Sequence, residues 1–265
     1  MSDKILNTLA ECTRARIEKD KQKVSPEEMK QKALAMDCNT GFPFEKALKN
    51  NGMSFICEIK KASPSKGVIA EYFPYKDIAV EYEQAGASAI SVLTETDYFL
   101  GKDKYLYEIS KLVSIPLLRK DFTIDEYMIY QAKVLGASAV LLICSLLDTD
   151  TIREYIKICD MLGLSALVEA HDSGEVESAI KAGARVIGVN NRNLKNFKVD
   201  VTNCLSLRKL VPSDIIFVGE SGIKTSQDIE VLKQADVDAV LIGETFMRSK
   251  NKKEMLVTLN GGEVD

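Results

Sequence analysis

The chain has 265 residues, 46% of them hydrophobic, and a formal net charge of −4, which is material for one large folded domain and too mixed in charge for a disordered one. The weakly acidic balance gives no footing for nucleic acid or an anionic membrane surface as partner. The longest apolar stretch, Ala137 to Leu147, is broken by Ser138 and Ser145 and falls well short of the roughly 20 residues of a membrane helix.

The amino terminus opens Met1-Ser2-Asp3-Lys4, without the apolar core of an export signal, so a cytoplasmic location is expected. Residues 1–48 read as a helical extension that packs on the domain formed by residues 49–265. Ile5, Leu9 and Ile17 fall near one face, and Ser25-Pro26-Glu27-Glu28 combines a capping side chain, a proline at the first helical position and early acids. Two placements stand open: a plug or side cover of the domain, or a flap over an active rim.

Through residues 49–265, apolar runs alternate with helix-like segments. Strands are expected near 55–60, 89–93, 116–120, 139–143, 165–169, 186–190, 215–219 and 239–242, and helices near 76–85, 103–113, 125–135, 149–162, 173–182, 202–210, 225–234 and 251–259. Ala85-Gly86-Ala87, Leu135-Gly136-Ala137 and Ala182-Gly183-Ala184 repeat one corner, in which glycine ends a helix in the left-handed region and small residues re-enter the sheet. Helix starts are marked by Thr123-x-x-Glu126, Asp172-x-x-Glu175 and Thr225-x-x-Asp228. Such alternation predicts an α/β fold of the (β/α)8 TIM-barrel class, of about the usual 250 residues. An open doubly wound sheet is the runner-up, because local pattern does not reveal closure.

Lone polar residues close these runs. Side chains alternate along a strand, so Ile56, Glu58 and Lys60 face one way and Cys57 and Ile59 the other. In a barrel the first set points inward, placing Glu58 and Lys60 at the carboxyl rim, where the chemistry of such folds sits. Lys120 ends the third strand; the following Asp121 is a candidate to orient its ammonium, and a partly dry pocket would lower its proton affinity toward general-acid duty. Glu169, Asn190 and Glu220 close three further strands and would aim at the same space. A structural ion pair remains the bland alternative for Glu58 with Lys60, and a solvated helix start for Lys120.

Gly222 and Gly243 follow the seventh and eighth strands, where glycine lets backbone amides approach a phosphate, and Glu244-Thr245-Phe246-Met247 reads as the short extra helix. Ser63 and Ser221 offer hydroxyls. The six cysteines are scattered without a CxxC pair and read as small buried hydrophobes in a reducing compartment, not as a zinc site. The single histidine, His171, excludes a site built on two histidines; it reads either as a base or as a solvated loop residue.

Glu58-Ile59-Lys60-Lys61-Ala62-Ser63-Pro64-Ser65-Lys66-Gly67 resembles the signature of the indole-3-glycerol-phosphate synthase family of tryptophan biosynthesis. The likeness continues through Ser91-Val92-Leu93-Thr94-Glu95, Leu118-Arg119-Lys120-Asp121-Phe122, Leu167-Val168-Glu169-Ala170-His171, Asn190-Asn191-Arg192-Asn193-Leu194 and Gly219-Glu220-Ser221-Gly222-Ile223. The resemblance implies a lyase that converts 1-(2-carboxyphenylamino)-1-deoxyribulose 5-phosphate to indole-3-glycerol phosphate, carbon dioxide and water, with no cofactor or metal. It also leaves room for association with other tryptophan-pathway enzymes. It implies catalytic roles for Glu58, Lys60, Lys120, Glu169, Asn190 and Ser221. Around the substrate and its phosphate it implies Ser63, Phe99, Phe122, Arg192, Glu220, Gly222, Gly243 and Glu244, the last through its backbone amide, since its carboxylate would repel the phosphate. Two rival readings stay open: a Schiff-base lysine enzyme using Lys60 or Lys120, and a scaffold barrel without turnover.

Overall fold

The computed structural model describes residues 2–49, 52–192 and 199–262, with residues 2–5 described by backbone alone. The Ile5 side chain, Asn193 and Leu194 therefore lie outside the described residues. Eight parallel strands close a barrel: β1 Ser54–Ile59, β2 Ala89–Leu93, β3 Leu117–Lys120, β4 Ala139–Ile143, β5 Ser165–Ala170, β6 Val186–Asn190, β7 Ile216–Glu220 and β8 Ala239–Ile242. Closure is explicit in the register, where Ile56 of β1 lies beside Leu241 of β8 on one side and Ala89 of β2 on the other. The open-sheet alternative is thereby set aside.

Helices α1 Ser2–Lys23, α2 Pro26–Leu34 and α3 Pro43–Leu48 precede the barrel. Helices α4 Tyr75–Ala85, α5 Asp103–Ile109, α6 Glu126–Val134, α7 Thr149–Leu162, α8 Ser173–Ala182, α9 Thr202–Arg208, α10 Ser226–Gln234, α11 Glu244–Arg248 and α12 Lys252–Leu259 come after β1. Strand alternation separates two cores: Ile56, Leu118, Leu141, Leu167, Val218 and Leu241 fill the bore, while Cys57, Ile59, Val140, Val168 and Phe217 pack under the helices. Gly86 and Gly183 cap α4 and α8 with φ of +96° and +89°, a conformation that costs a side-chain-bearing residue free energy.

Two local expectations are corrected. Thr123 does not cap α6; it is buried, and Asp125 takes the cap by accepting the Tyr127 N–H at 2.9 Å. Helix α5 ends at Ile109 rather than near 113, and the Glu83 carboxylate accepts the Ser114 and Ile115 N–H groups at 2.6 and 3.2 Å, drawing the chain toward β3. Asp172 and Thr225 cap α8 and α10 as expected, the latter in a reciprocal capping box.

The extension runs the height of the barrel. Phe44 and Leu48 of α3 are buried in the bore cluster at its amino-terminal end, and Glu45 ties that end down by accepting from Ser165 Oγ at 3.0 Å and from the Arg185 guanidinium. Helix α2 lies along α6, with Met29 and Ala33 in the outer core. At the opposite end, Arg16 of α1 donates to both Asp121 oxygens at 2.7 and 2.8 Å and to the Thr94 carbonyl at 3.1 Å.

Candidate active site

At the carboxyl rim lies a cavity of about 980 Å³. Glu58, Lys60, Ser63, Phe99, Lys120, Phe122, Glu169, Asn190, Arg192, Glu220, Ser221, Gly222, Gly243 and Glu244 all line it, together with Leu6 and Leu9 of α1. Every residue that the resemblance assigns to the site therefore borders one space, whereas His171, read from the sequence as base or loop residue, does not.

Its centre is a chain of charges. The Lys120 ammonium donates to Glu169 Oε2 at 2.9 Å and to Glu220 Oε2 at 2.8 Å, and Lys60 pairs directly with Glu58. All three glutamates are buried. Burial alone would drive Lys120 toward its neutral form, yet Glu169, Glu220 and Glu58 outweigh it and hold the ammonium above the ordinary lysine range. The expected loss of proton affinity is therefore reversed. Asp121 borders the same cavity, but its carboxylate does not pair with Lys120; it meets Arg16, Thr94 Oγ1 at 2.5 Å and the buried Arg119 guanidinium at 3.7 Å.

The two glutamates on Lys120 diverge. Burial disfavours the charged form of both, but Lys120 and His171 hold Glu169 well below the usual carboxylate range. Glu220 is pushed up to about 7 by burial, with Lys120 opposing and the Glu169 charge reinforcing. Its Oε1 is buried and has no hydrogen-bond partner among the described residues, which further disfavours the charged form. One ionised and one proton-carrying carboxyl on a shared lysine is an acid/base pair.

Local backbone makes the room. A Cβ on Gly188 of β6 would sit 2.3 Å from Glu220 Oε1, and one on Gly243 would sit 2.5 Å from Glu58 Oε1. Gly243 thus clears space for a carboxylate as well as following the last strand. Ser221 holds a left-handed φ of 67°, a conformation costing about 1–3 kcal/mol that clusters at functional sites. Asn191 holds it there, donating to the Ser221 carbonyl at 3.1 Å while accepting the Cys204 N–H at 3.0 Å.

On the opposite wall, Phe99 and Phe122 stand 6.1 Å apart at 48°. Phe99 is set by Glu95, whose buried carboxylate accepts the N–H groups of Asp97, Tyr98 and Phe99 at 2.8, 2.9 and 2.8 Å. Beside Gly243, Glu244 turns to Arg248 at 3.1 Å and Lys66 at 3.8 Å. Glu95 and Asn191 lie in segments that carry the resemblance, but their roles, like that of Gly188, come only from their spatial neighbours. Among the described residues, no group of three or more His, Cys, Asp or Glu side chains is arranged to hold a metal ion. Nor is any described helix long and apolar enough to cross a membrane.

A family model described as indole-3-glycerol phosphate synthase matches residues 6–259. An indole-3-glycerol phosphate synthase of Ruminiclostridium cellulolyticum is 60% identical over 257 residues, covering 97% of this chain and 99% of that protein. One from Endomicrobium trichonymphae is 54% identical over 252 residues, covering 95% and 98%. Among solved structures, a 3-hexulose-6-phosphate synthase superposes with a TM-score of 0.64 at 14% identity, over 79% of this chain and 99% of that one, a likeness of fold alone.

Proposed function

The chain belongs to the indole-3-glycerol phosphate synthase family, and we propose that its rim cavity closes the indole ring of 1-(2-carboxyphenylamino)-1-deoxyribulose 5-phosphate by dividing the work among its charged residues. Lys120 donates its proton to the ketone oxygen as the ring carbon bearing the carboxylate attacks the carbonyl carbon. An aromatic carbon is a weak nucleophile, so this activation starts the reaction. Positive charge then develops on the ring and its nitrogen, and Glu58 stabilises it. Carbon dioxide leaves while Lys60 holds the departing carboxylate, and the ring regains its electron pair.

Dehydration remains. Glu169, kept ionised, takes a proton from the carbon beside the nitrogen. The hydroxyl made in the first step leaves as water with a proton relayed through Glu220, Lys120 or the Glu58–Lys60 pair. Asn190 supports this step by donating to Glu169 Oε1 at 3.4 Å. The phosphate rests on backbone amides at Gly222, Gly243 and Glu244, with Ser63, Ser221 and Arg192 beside it, and Phe99 with Phe122 walls the ring. Anchoring both ends holds the reacting carbons near contact.

The observation that carries this reading is the Lys120 ammonium wedged between Glu169 and Glu220 in the cavity that also holds Glu58 and Lys60. It also argues against Lys120 as a Schiff-base lysine, which must shed its proton before it attacks. Incubating the protein with the carboxyphenylamino ribulose phosphate should produce indole fluorescence and carbon dioxide in equal amounts; a folded protein giving neither is not this enzyme. The reading places it in the cytoplasm, where six unpaired cysteines stay reduced. Association with other enzymes of tryptophan synthesis would appear as co-elution on size exclusion.

A further inference from the structure

Behind Glu169, on the side away from the cavity, lies His171. Its Nε2 is 3.3 Å from Glu169 Oε1 and its Nδ1 is 3.0 Å from Glu175 Oε2 of α8. That same Glu175 oxygen accepts the His171 backbone N–H at 2.8 Å, while Glu175 Oε1 accepts from Ser145 Oγ, in the loop after β4, at 2.5 Å. Asn203 of α9 donates to the His171 carbonyl at 3.2 Å. Among the described residues, the charged groups paired with the ring are these two carboxylates, and the Lys120 ammonium holds the other oxygen of Glu169. Glu175 hydrogen-bonds one ring nitrogen, while Glu169 stands at ion-pair distance from the other without hydrogen-bond geometry; a negative charge on each side of the ring favours the imidazolium. Burial opposes that charge, but Glu169 and Glu175 push the ring up to about 10.

His171 does not line the cavity, so it meets the substrate only through Glu169. We propose that His171 is a positioning residue: as a standing imidazolium between Glu169 and Glu175, it fixes the Glu169 carboxylate against Lys120 and keeps it ionised for proton abstraction. This rests on the proposed ring closure and dehydration. It also gives Glu175, a helix-start acid by sequence, a place in the same relay.

The chain contains one histidine, so its ring nitrogens give unassisted signals in a 15N NMR spectrum. In the unaltered protein at pH 8, both should be protonated; a neutral ring at that pH overturns the proposal. His171→Gln and His171→Ala, checked for folding by circular dichroism, should each lose about tenfold in kcat with KM nearly unchanged. Their acid limb should move up by about one pH unit, because Glu169 loses a cation that favours its charged form. Glu175→Gln should move the limb the same way by less, and add little to His171→Gln. An acid limb that stays in place in a folded variant overturns the proposal, whatever happens to Tm. An unaltered chain that makes no indole sinks the reaction itself, whereas an active chain with a neutral His171 sinks only this inference.

Discussion

At the amino-terminal end of the barrel, Phe44 and Leu48 close the bore against Ala89, Ala139 and Ala239; at the carboxyl end, the barrel strands finish in Glu58, Lys120, Glu169 and Glu220. Both ends are buried, but for opposite reasons. The floor removes apolar surface from water, worth roughly 1.5–3 kcal/mol for a side chain such as Phe44. The rim holds charges whose desolvation offsets most of their mutual attraction, so buried ion pairs there are weak evidence for stability. One end keeps the fold, and the other keeps a reactive arrangement of protons.

Variants at the two ends should therefore fail differently. Lys120→Ala should lower kcat by about 10³-fold, the scale of a general acid, while circular dichroism stays that of the folded chain; turnover near that of the unaltered enzyme removes Lys120 from the chemistry. At the floor, Phe44→Ala should cost about 3–5 kcal/mol in urea unfolding and leave kcat per folded molecule unchanged. A large loss of kcat there would mean that floor and rim are coupled. Glu169→Gln should slow turnover by about 10²-fold with substrate KM little changed, and equal losses in both would make it a binding group instead. Gly188→Ala, whose new Cβ would sit 2.3 Å from Glu220 Oε1, should lose about tenfold in kcat by displacing that carboxyl; full activity would show that Glu220 has room to move.

The smallest effect is a slope. His171 titrates near 10 in the fold against a reference of 6.5, so the folded state holds a proton that the unfolded chain releases between these values. Its contribution is complete below about 6.5 and fades as pH rises through 10. The unfolding free energy of the unaltered chain should fall across that window more steeply than that of His171→Gln.

Much of the barrel was legible because a buried parallel strand is an unbroken apolar run, and the polar residue that ends it is conspicuous. Glu58, Lys60, Lys120, Glu169 and Glu220 were found that way. What escaped depends on neighbours far along the chain. Nothing local to Asp121 names Arg16 as its partner, 105 positions earlier. His171 read as base or loop residue because its two carboxylates meet it only after β5 and α8 pack. The proton affinity of Lys120 came out with the wrong sign for the same reason: burial can be guessed from one strand, but three converging glutamates require closure.

The Arg16–Asp121 tether has a consequence for biosynthesis. The helix carrying Arg16 leaves the ribosome before Asp121, which comes 105 residues later, a wait of roughly 5–20 s at ordinary translation rates. Until the residue that follows β3 is made, Arg16 lacks the carboxylate that holds it in the folded protein. The arm of this clasp is made before its catch.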